Sequence, residues 1–219
     1  GEFKNNRIHI ESCAHLDPVS INIESDWSSA SYFYSLVAIS NIAEVKLSNY
    51  RRSSLQGDSC VAKIYKQFGV ETEYEADSII LKKTAHKKPM RIHENLVDSP
   101  DIAQTIAVTC LALGIECELT GLHTLKIKET DRLVALKNEM EKFGAKVEIG
   151  KDCLHLAAQK RLNEGVSVET YKDHRMAMAF APLALKVPLH IQEANVVSKS
   201  YPGFWKDLEK LGFSAVEVA

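Results

Sequence analysis

Three observations predict an α/β domain in which repeated strand–helix units wrap buried helices. Three segments end alike, in Tyr65-Lys66-Gln67-Phe68-Gly69, Met140-Glu141-Lys142-Phe143-Gly144 and Leu208-Glu209-Lys210-Leu211-Gly212. Each reads as an amphipathic helix closed by glycine, the residue that adopts the left-handed conformation at a helix end most readily. The glycines recur about every 70 residues, a long but steady period. Upstream of them, segments such as Ile106–Leu113 and Ala177–Ala181 are apolar nearly all round. A helix apolar on every face is buried on every face.

The predicted unit is β-α-β-α-β-β, with one interior and one surface helix, repeated over about 19–84, 85–160 and 161–219. In the first unit, strand Val19–Ile23 leads through Asp26 into an interior helix, Trp27–Ile39. Strand Val45–Leu47 follows, then the helix closed by Gly69, then strands Glu71–Tyr74 and Ser78–Leu81. The basic, polar stretch Thr84–Lys88 marks the joint to the second unit. There, strand Met90–Ile92 precedes an interior helix, Ile102–Leu113, which follows Asp101. Strand Glu116–Leu119 comes next. Leu133, Leu136, Met140 and Phe143 then keep helical spacing, so this surface helix has a single apolar stripe. Gly144 closes it before strand Lys146–Ile149. The third unit runs through strand Val166–Val168, the helix His174–Leu185 after Asp173, strand Pro188–Ile191, the helix closed by Gly212, and a last strand, Ala215–Val218.

The composition of the 219 residues is that of a globular chain, with 45% hydrophobic and 26% charged residues. A net charge of −2 and 7% aromatic residues do not favour a nucleic-acid surface, so no nucleic acid is expected. No apolar run reaches the roughly 18 residues of a membrane span. The chain opens Gly1-Glu2-Phe3 without methionine, the expectation for a cut or processed end. Five cysteines show no CxxC spacing and none of the histidines fits a metal pattern, so buried reduced thiols, no metal and a cytoplasmic setting are expected.

Four motifs carry chemistry. In Lys126-Ile127-Lys128-Glu129-Thr130-Asp131-Arg132, a helix start with free N–H groups stands beside two cations, the makings of an anion site. The plainer reading is a solvated helix start. Tyr171-Lys172-Asp173-His174-Arg175 places charges at the mouth of an interior helix, where a guanidinium can hold a carboxylate or phosphate through two parallel bonds. The plainer reading makes Asp173 a cap and leaves His174 and Arg175 exposed. Asp98-Ser99-Pro100-Asp101 is ordinary helix-start chemistry, or else offers a carboxylate base at the end of an interior helix. Lys199, in Ser198-Lys199-Ser200-Tyr201-Pro202, is a surface lysine or a fourth cation. Because these motifs fall near helix starts in successive units, a pseudo-threefold arrangement would gather Lys128, Arg132, Arg175 and Lys199 on one face. That is a trap for a multiply charged anion, with Asp101 or Glu129 inside it to move protons.

Lys128-Glu129-Thr130-Asp131-Arg132 together with Asp173-His174-Arg175-Met176-Ala177-Met178 resembles the signature pair of the 5-enolpyruvylshikimate-3-phosphate synthases. Asp26 with Ser28-Ser29-Ala30-Ser31-Tyr32-Phe33, and Gln56-Gly57-Asp58, are similar to that family as well. The resemblance implies an inside-out α/β barrel fold and a transferase. It moves the enolpyruvyl group of phosphoenolpyruvate to the 5-hydroxyl of 3-phosphoshikimate and releases phosphate, with no cofactor. It implies roles too. Asp101 would be the base facing the attacking hydroxyl. Glu129 would serve the methylene carbon. Arg132, Arg175 and Lys199 would clamp phosphoenolpyruvate. Lys128 would contact the shikimate substrate or the site's acid, and His174 would line the site. Many family members carry asparagine where this chain has Thr124, whose hydroxyl has fewer donors to offer a substrate.

Family members are about twice this long and usually monomeric, with two hinged domains. The resemblance therefore places 1–18 in the inter-domain region and 19–219 in the C-terminal domain. The missing N-terminal domain is the expected partner, and this chain alone is expected to be inactive. The other readings are a UDP-N-acetylglucosamine enolpyruvyl transferase, a small complete enzyme of another type, and a non-catalytic anion- or RNA-binding repeat domain.

Overall fold

Asp26, Asp131 and Asp173 each open a helix by accepting backbone N–H groups of its first turn, at 2.9–3.2 Å. The computed structural model describes residues 1–216. A two-stranded antiparallel hairpin comes first, β1 (Glu2–Lys4) and β2 (Arg7–His9), with every residue exposed. Helix α1 (Trp27–Ile39) follows, buried at all positions but Ser29. Strand β3 (Glu44–Ser48), the short helix α2 (Val61–Ile64) with its 3-10 continuation Tyr65–Phe68, and strands β4 (Val70–Tyr74) and β5 (Ser78–Lys83) complete the first unit. Its sheet is antiparallel, in the order β3-β5-β4.

The second unit shows the whole predicted pattern. Strand β6 (Arg91–Asn95) leads through a 3-10 turn, Pro100–Ile102, into α3 (Ala103–Leu113). Strand β7 (Glu116–Thr120), α4 (Arg132–Lys142), β8 (Val147–Ile149) and β9 (Leu154–Leu156) follow. The sheet order is β6-β7-β9-β8, with β6 parallel to β7 and the other pairs antiparallel. In the third unit, β10 (Val166–Val168) and β11 (Leu189–Ile191) run parallel, flanking α5 (His174–Phe180) and its 3-10 extension Ala181–Leu185. Helix α6 (Phe204–Lys210) is the last among the described residues.

The helices read as apolar all round are the interior ones. Helix α1 packs on α3, and α3 on α5. Their contact is threaded by small hydroxyls, Ser31 against Thr105 at 3.0 Å and Ser35 against Thr109 at 2.8 Å. Small residues let the backbones approach, while each buried hydroxyl finds a partner. On α4, Leu133, Leu136 and Met140 face the core as the stripe requires. Gly69, Gly144 and Gly212 all have positive φ, at 75°, 88° and 91°.

Val19–Ile23 is not a strand. Its apolar side chains are about four-fifths exposed, and the chain meets the end of β3 beyond this stretch, where Ser25 Oγ donates to Ser48 O at 3.1 Å and Ser25 N to Asn49 O at 2.8 Å. Alternation alone does not make a strand; a ladder partner is needed. Strand β9 fills the last place of the predicted β-α-β-α-β-β unit, for which the sequence pattern marks no segment. The predicted strand at Ala215–Val218 has no strand over Ala215–Val216, and its remainder lies outside the described residues.

Candidate active site

The starts of α3, α4 and α5 meet, and their charged residues form one connected network. Arg132, the first residue of α4 and 1% exposed, lies at its centre. Its Nε donates to Asp173 Oδ2 at 2.7 Å, Nη1 to Asp101 Oδ1 at 3.0 Å, and Nη2 to Glu129 Oε2 at 2.7 Å. Arg175 Nη2 bonds the other Asp101 oxygen at 3.2 Å, and Lys128 Nζ pairs with Asp101 Oδ1 at 3.2 Å. Lys199 Nζ reaches Glu129 Oε1 at 3.4 Å. Seven of the eight predicted residues are thus in one place, since His174 Nδ1 stands 3.8 Å from both Glu129 and Asp173. Thr124, in the 3-10 turn His123–Ile127, is not bonded to them, and its buried Oγ1 has no hydrogen-bond partner.

Local structure explains why the acids are available. Asp101 sits inside the turn Pro100–Ile102 and caps nothing, so both its oxygens face cations. Glu129 lies in the bend before α4, where Asp131, not Thr130, is the cap. Burial pushes Asp101 up, but Arg175, Lys128 and Arg132 outweigh it and hold the carboxyl below its ordinary value. Glu129 behaves likewise: burial raises it, while a backbone N–H, Arg132, Lys199 and His174 bring it down. Burial lowers His174, which favours neutral imidazole.

Three participants went unassigned in the sequence reading. Asp173 is 0% exposed and does two jobs, capping α5 and anchoring Arg132. Asp58 accepts from the Ser28 hydroxyl; burial raises its carboxyl, partly countered by Ser28 and Arg175. The buried Tyr32 phenol, pushed up to about 12 by burial, faces Arg175. The signal for Asp173 was its place within Asp173-His174-Arg175, where the capping role masked the second one. Glu129, Asp173 and His174 bring potential metal-ligand atoms within 4.8 Å of one another. Both carboxylates already bind Arg132, so a metal ion there would have to displace a guanidinium.

The fold is shared with enzymes of one class. EPSP synthase from Acinetobacter baumannii superposes with a TM-score of 0.72 at 24% identity, over 86% of this chain and 46% of that one. The enolpyruvyl transferase NikO from Streptomyces tendae gives 0.64 at 12% identity, over 88% and 44%. This is the α/β fold of the enolpyruvyl transferases. The family model for EPSP synthase (3-phosphoshikimate 1-carboxyvinyltransferase) matches residues 1–208. The 3-phosphoshikimate 1-carboxyvinyltransferase of Bacteroides fragilis is 47% identical over 194 residues, 87% of this chain and 47% of the relative. The chain therefore belongs to the EPSP synthase family, and it spans about half the length of the curated relatives it matches.

Proposed function

We propose that this chain supplies the anion-gathering half of a 3-phosphoshikimate 1-carboxyvinyltransferase. The reaction joins the 5-hydroxyl of 3-phosphoshikimate to the enolpyruvyl group of phosphoenolpyruvate and releases phosphate. One observation carries the reading: Lys128, Arg132, Arg175 and Lys199 converge on two carboxylates, Asp101 and Glu129, at a shared helix-start face. Two anionic substrates repel each other, and only a cluster of fixed cations offsets that repulsion.

In this reading Asp101 accepts the proton of the 5-hydroxyl as its oxygen bonds the enol carbon. Glu129, protonated once the substrates have taken its cations, delivers that proton to the methylene carbon and takes one back as the bond to phosphate breaks, while the departing phosphate carries off the proton held by Asp101. Without substrate, the cations hold both acids ionised and weakly basic. When a carboxylate and a phosphate take Arg175, Arg132 and Lys199 for themselves, Asp101 and Glu129 lose that stabilisation and gain proton affinity. Thr124 offers an unpaired hydroxyl to the substrate, and His174 lines the site as neutral imidazole.

The remaining groups come from the missing half, with which 1–18 forms the joint while 19–219 is the C-terminal domain. The exposed hairpin β1–β2 supports a joint at the start of the chain. Five unpaired cysteines support a cytoplasmic setting. Phosphate release from the two substrates tests the function. The chain alone is expected to be silent, because orientation worth roughly 7–11 kcal/mol is missing. Adding a matching N-terminal half is expected to give turnover that Arg175→Ala abolishes. Turnover by the isolated chain, or silence of a folded two-half complex, would overturn the reading.

A further inference from the structure

A second cavity, of about 570 Å³, opens at the other end of the interior helices. Asp101 and Leu113 stand at opposite ends of α3 and its opening turn, roughly 18 Å apart at 1.5 Å per residue. The cavity is therefore separate from the helix-start site. Its floor is apolar, made by Leu111, Leu113, Leu162 and Val187. Its rim is cationic: Lys88 from the loop before β6, Lys160 and Arg161 from the loop after β9, and Lys186 from the end of the α5 extension.

Among the described residues, no aspartate or glutamate lines it. Lys88 is already engaged, its Nζ donating to the Leu113 carbonyl at 2.8 Å. Lys160, Arg161 and Lys186 take part in none of the ion pairs of the described residues, whereas all four cations of the helix-start site do. The positive field is felt nearby: burial lowers the Lys83 amine, and Lys186 lowers it further. Gln159 is also among the residues that line the cavity. The backbone holds the loop here. Gly114 has φ +64°, and a Cβ on it would lie 2.3 Å from the Gln159 carbonyl oxygen. Only glycine lets the Ala158–Leu162 segment close over the helix end.

We infer that this cavity binds a small molecule with an apolar body and a single carboxylate or phosphate group. The apolar body would rest on the leucine floor, and the anion would meet Lys160, Arg161 and Lys186. This role does not depend on the reaction proposed above.

Calorimetric titration of the chain with phenylacetate and with phenyl phosphate tests it. Benzyl alcohol and inorganic phosphate serve as probes that each lack one of the two features. Saturable binding is expected for at least one of the first two and for neither of the others. The preferred anion tells carboxylate from phosphate. Arg161→Glu with Lys186→Glu, both at exposed positions, is expected to weaken binding at least about tenfold. Arg175→Ala is expected to leave it unchanged. The unliganded melting temperature of each variant reports its folding. Absence of saturable binding, or binding that Arg175→Ala removes and the rim variant keeps, would overturn the inference.

Discussion

Helix α4 buries a charge near each end, and the two are held in opposite ways. Glu139, 0% exposed, is closed off. Its Oε2 accepts from Lys142 at 2.6 Å and from the Glu169 backbone at 2.9 Å, and its Oε1 from the Tyr171 hydroxyl at 2.8 Å. These partners tie α4 to the segment between β10 and α5. Arg132 is as deeply buried, but two of its three carboxylate partners, Asp101 and Glu129, are about a quarter exposed and shared with Lys128, Arg175 and Lys199. One network is saturated and the other has an open edge where partners can be exchanged. Burial of a charge alone therefore marks structure. Burial beside acids that several cations hold in common marks chemistry.

The strongest test of that contrast is Arg132→Ala. It strands Asp173 without its buried partner, and about 3–5 kcal/mol of stability should go with it. Turnover of the reconstituted enzyme should vanish as well. Glu139→Gln comes next, at about 1–3 kcal/mol, because a charged acceptor of three bonds becomes a neutral amide. Urea unfolding should show this loss while the folded fraction keeps its kcat. A Glu139→Gln protein of normal stability and reduced kcat would erase the distinction between the two ends.

The sequence showed one end of this comparison better than the other. The Arg132 network was legible because its members sit in two compact motifs at helix starts, and a regular repeat brings helix starts together. Glu139 reads as one more polar residue on a surface helix. Its partners Glu169 and Tyr171 are about 30 residues away, and nothing in the local pattern pairs them. The same logic separates the elements. Buried helices were legible from their all-round apolarity, and α1 starts and stops where Asp26 and the apolar run predict. Val19–Ile23 carries the alternation of a strand but has no ladder partner along its length, a fact no local pattern contains. Asp58 and Tyr32 come to Arg175 only through the packing of α1 and the Gln56–Cys60 turn, which sequence spacing does not encode.

Acid pH should probe the open edge selectively. Asp101 and Glu129 are depressed below their ordinary values in the fold, so their stabilisation is present above the carboxylate range and is lost as pH falls through the depressed values. His174 is also depressed, so the unfolded chain takes up its proton first. Stability should therefore begin to fall as pH drops through the ordinary histidine range. In urea midpoints measured against pH, Asp101→Asn should flatten the acid limb, and Glu139→Gln should leave the contributions of Asp101 and His174 in place. A further step down in effect is Lys199→Ala. Its side chain is 58% exposed and its contact is long, so stability should move by less than about 0.5 kcal/mol. Activity should nevertheless fall on the order of 10²-fold, as for loss of one transition-state donor.

Thr124 gives the smallest and most discriminating effect. Its hydroxyl is buried and has no hydrogen-bond partner among the described residues, so the fold gains nothing from it. Thr124→Val keeps the shape and removes the hydroxyl. If that group serves only the fold, neither stability nor kinetics should change unfavourably, and stability could rise as an unsatisfied polar atom disappears. If it waits for a substrate hydroxyl, as proposed, KM for 3-phosphoshikimate should rise by about tenfold, the equivalent of 1.4 kcal/mol, while the urea midpoint stays or increases. A joint rise in KM and stability would show that an orphaned buried hydroxyl, like the open edge around Arg132, is held for a ligand. An unchanged KM would confine the site to the seven charged or ionisable residues already joined.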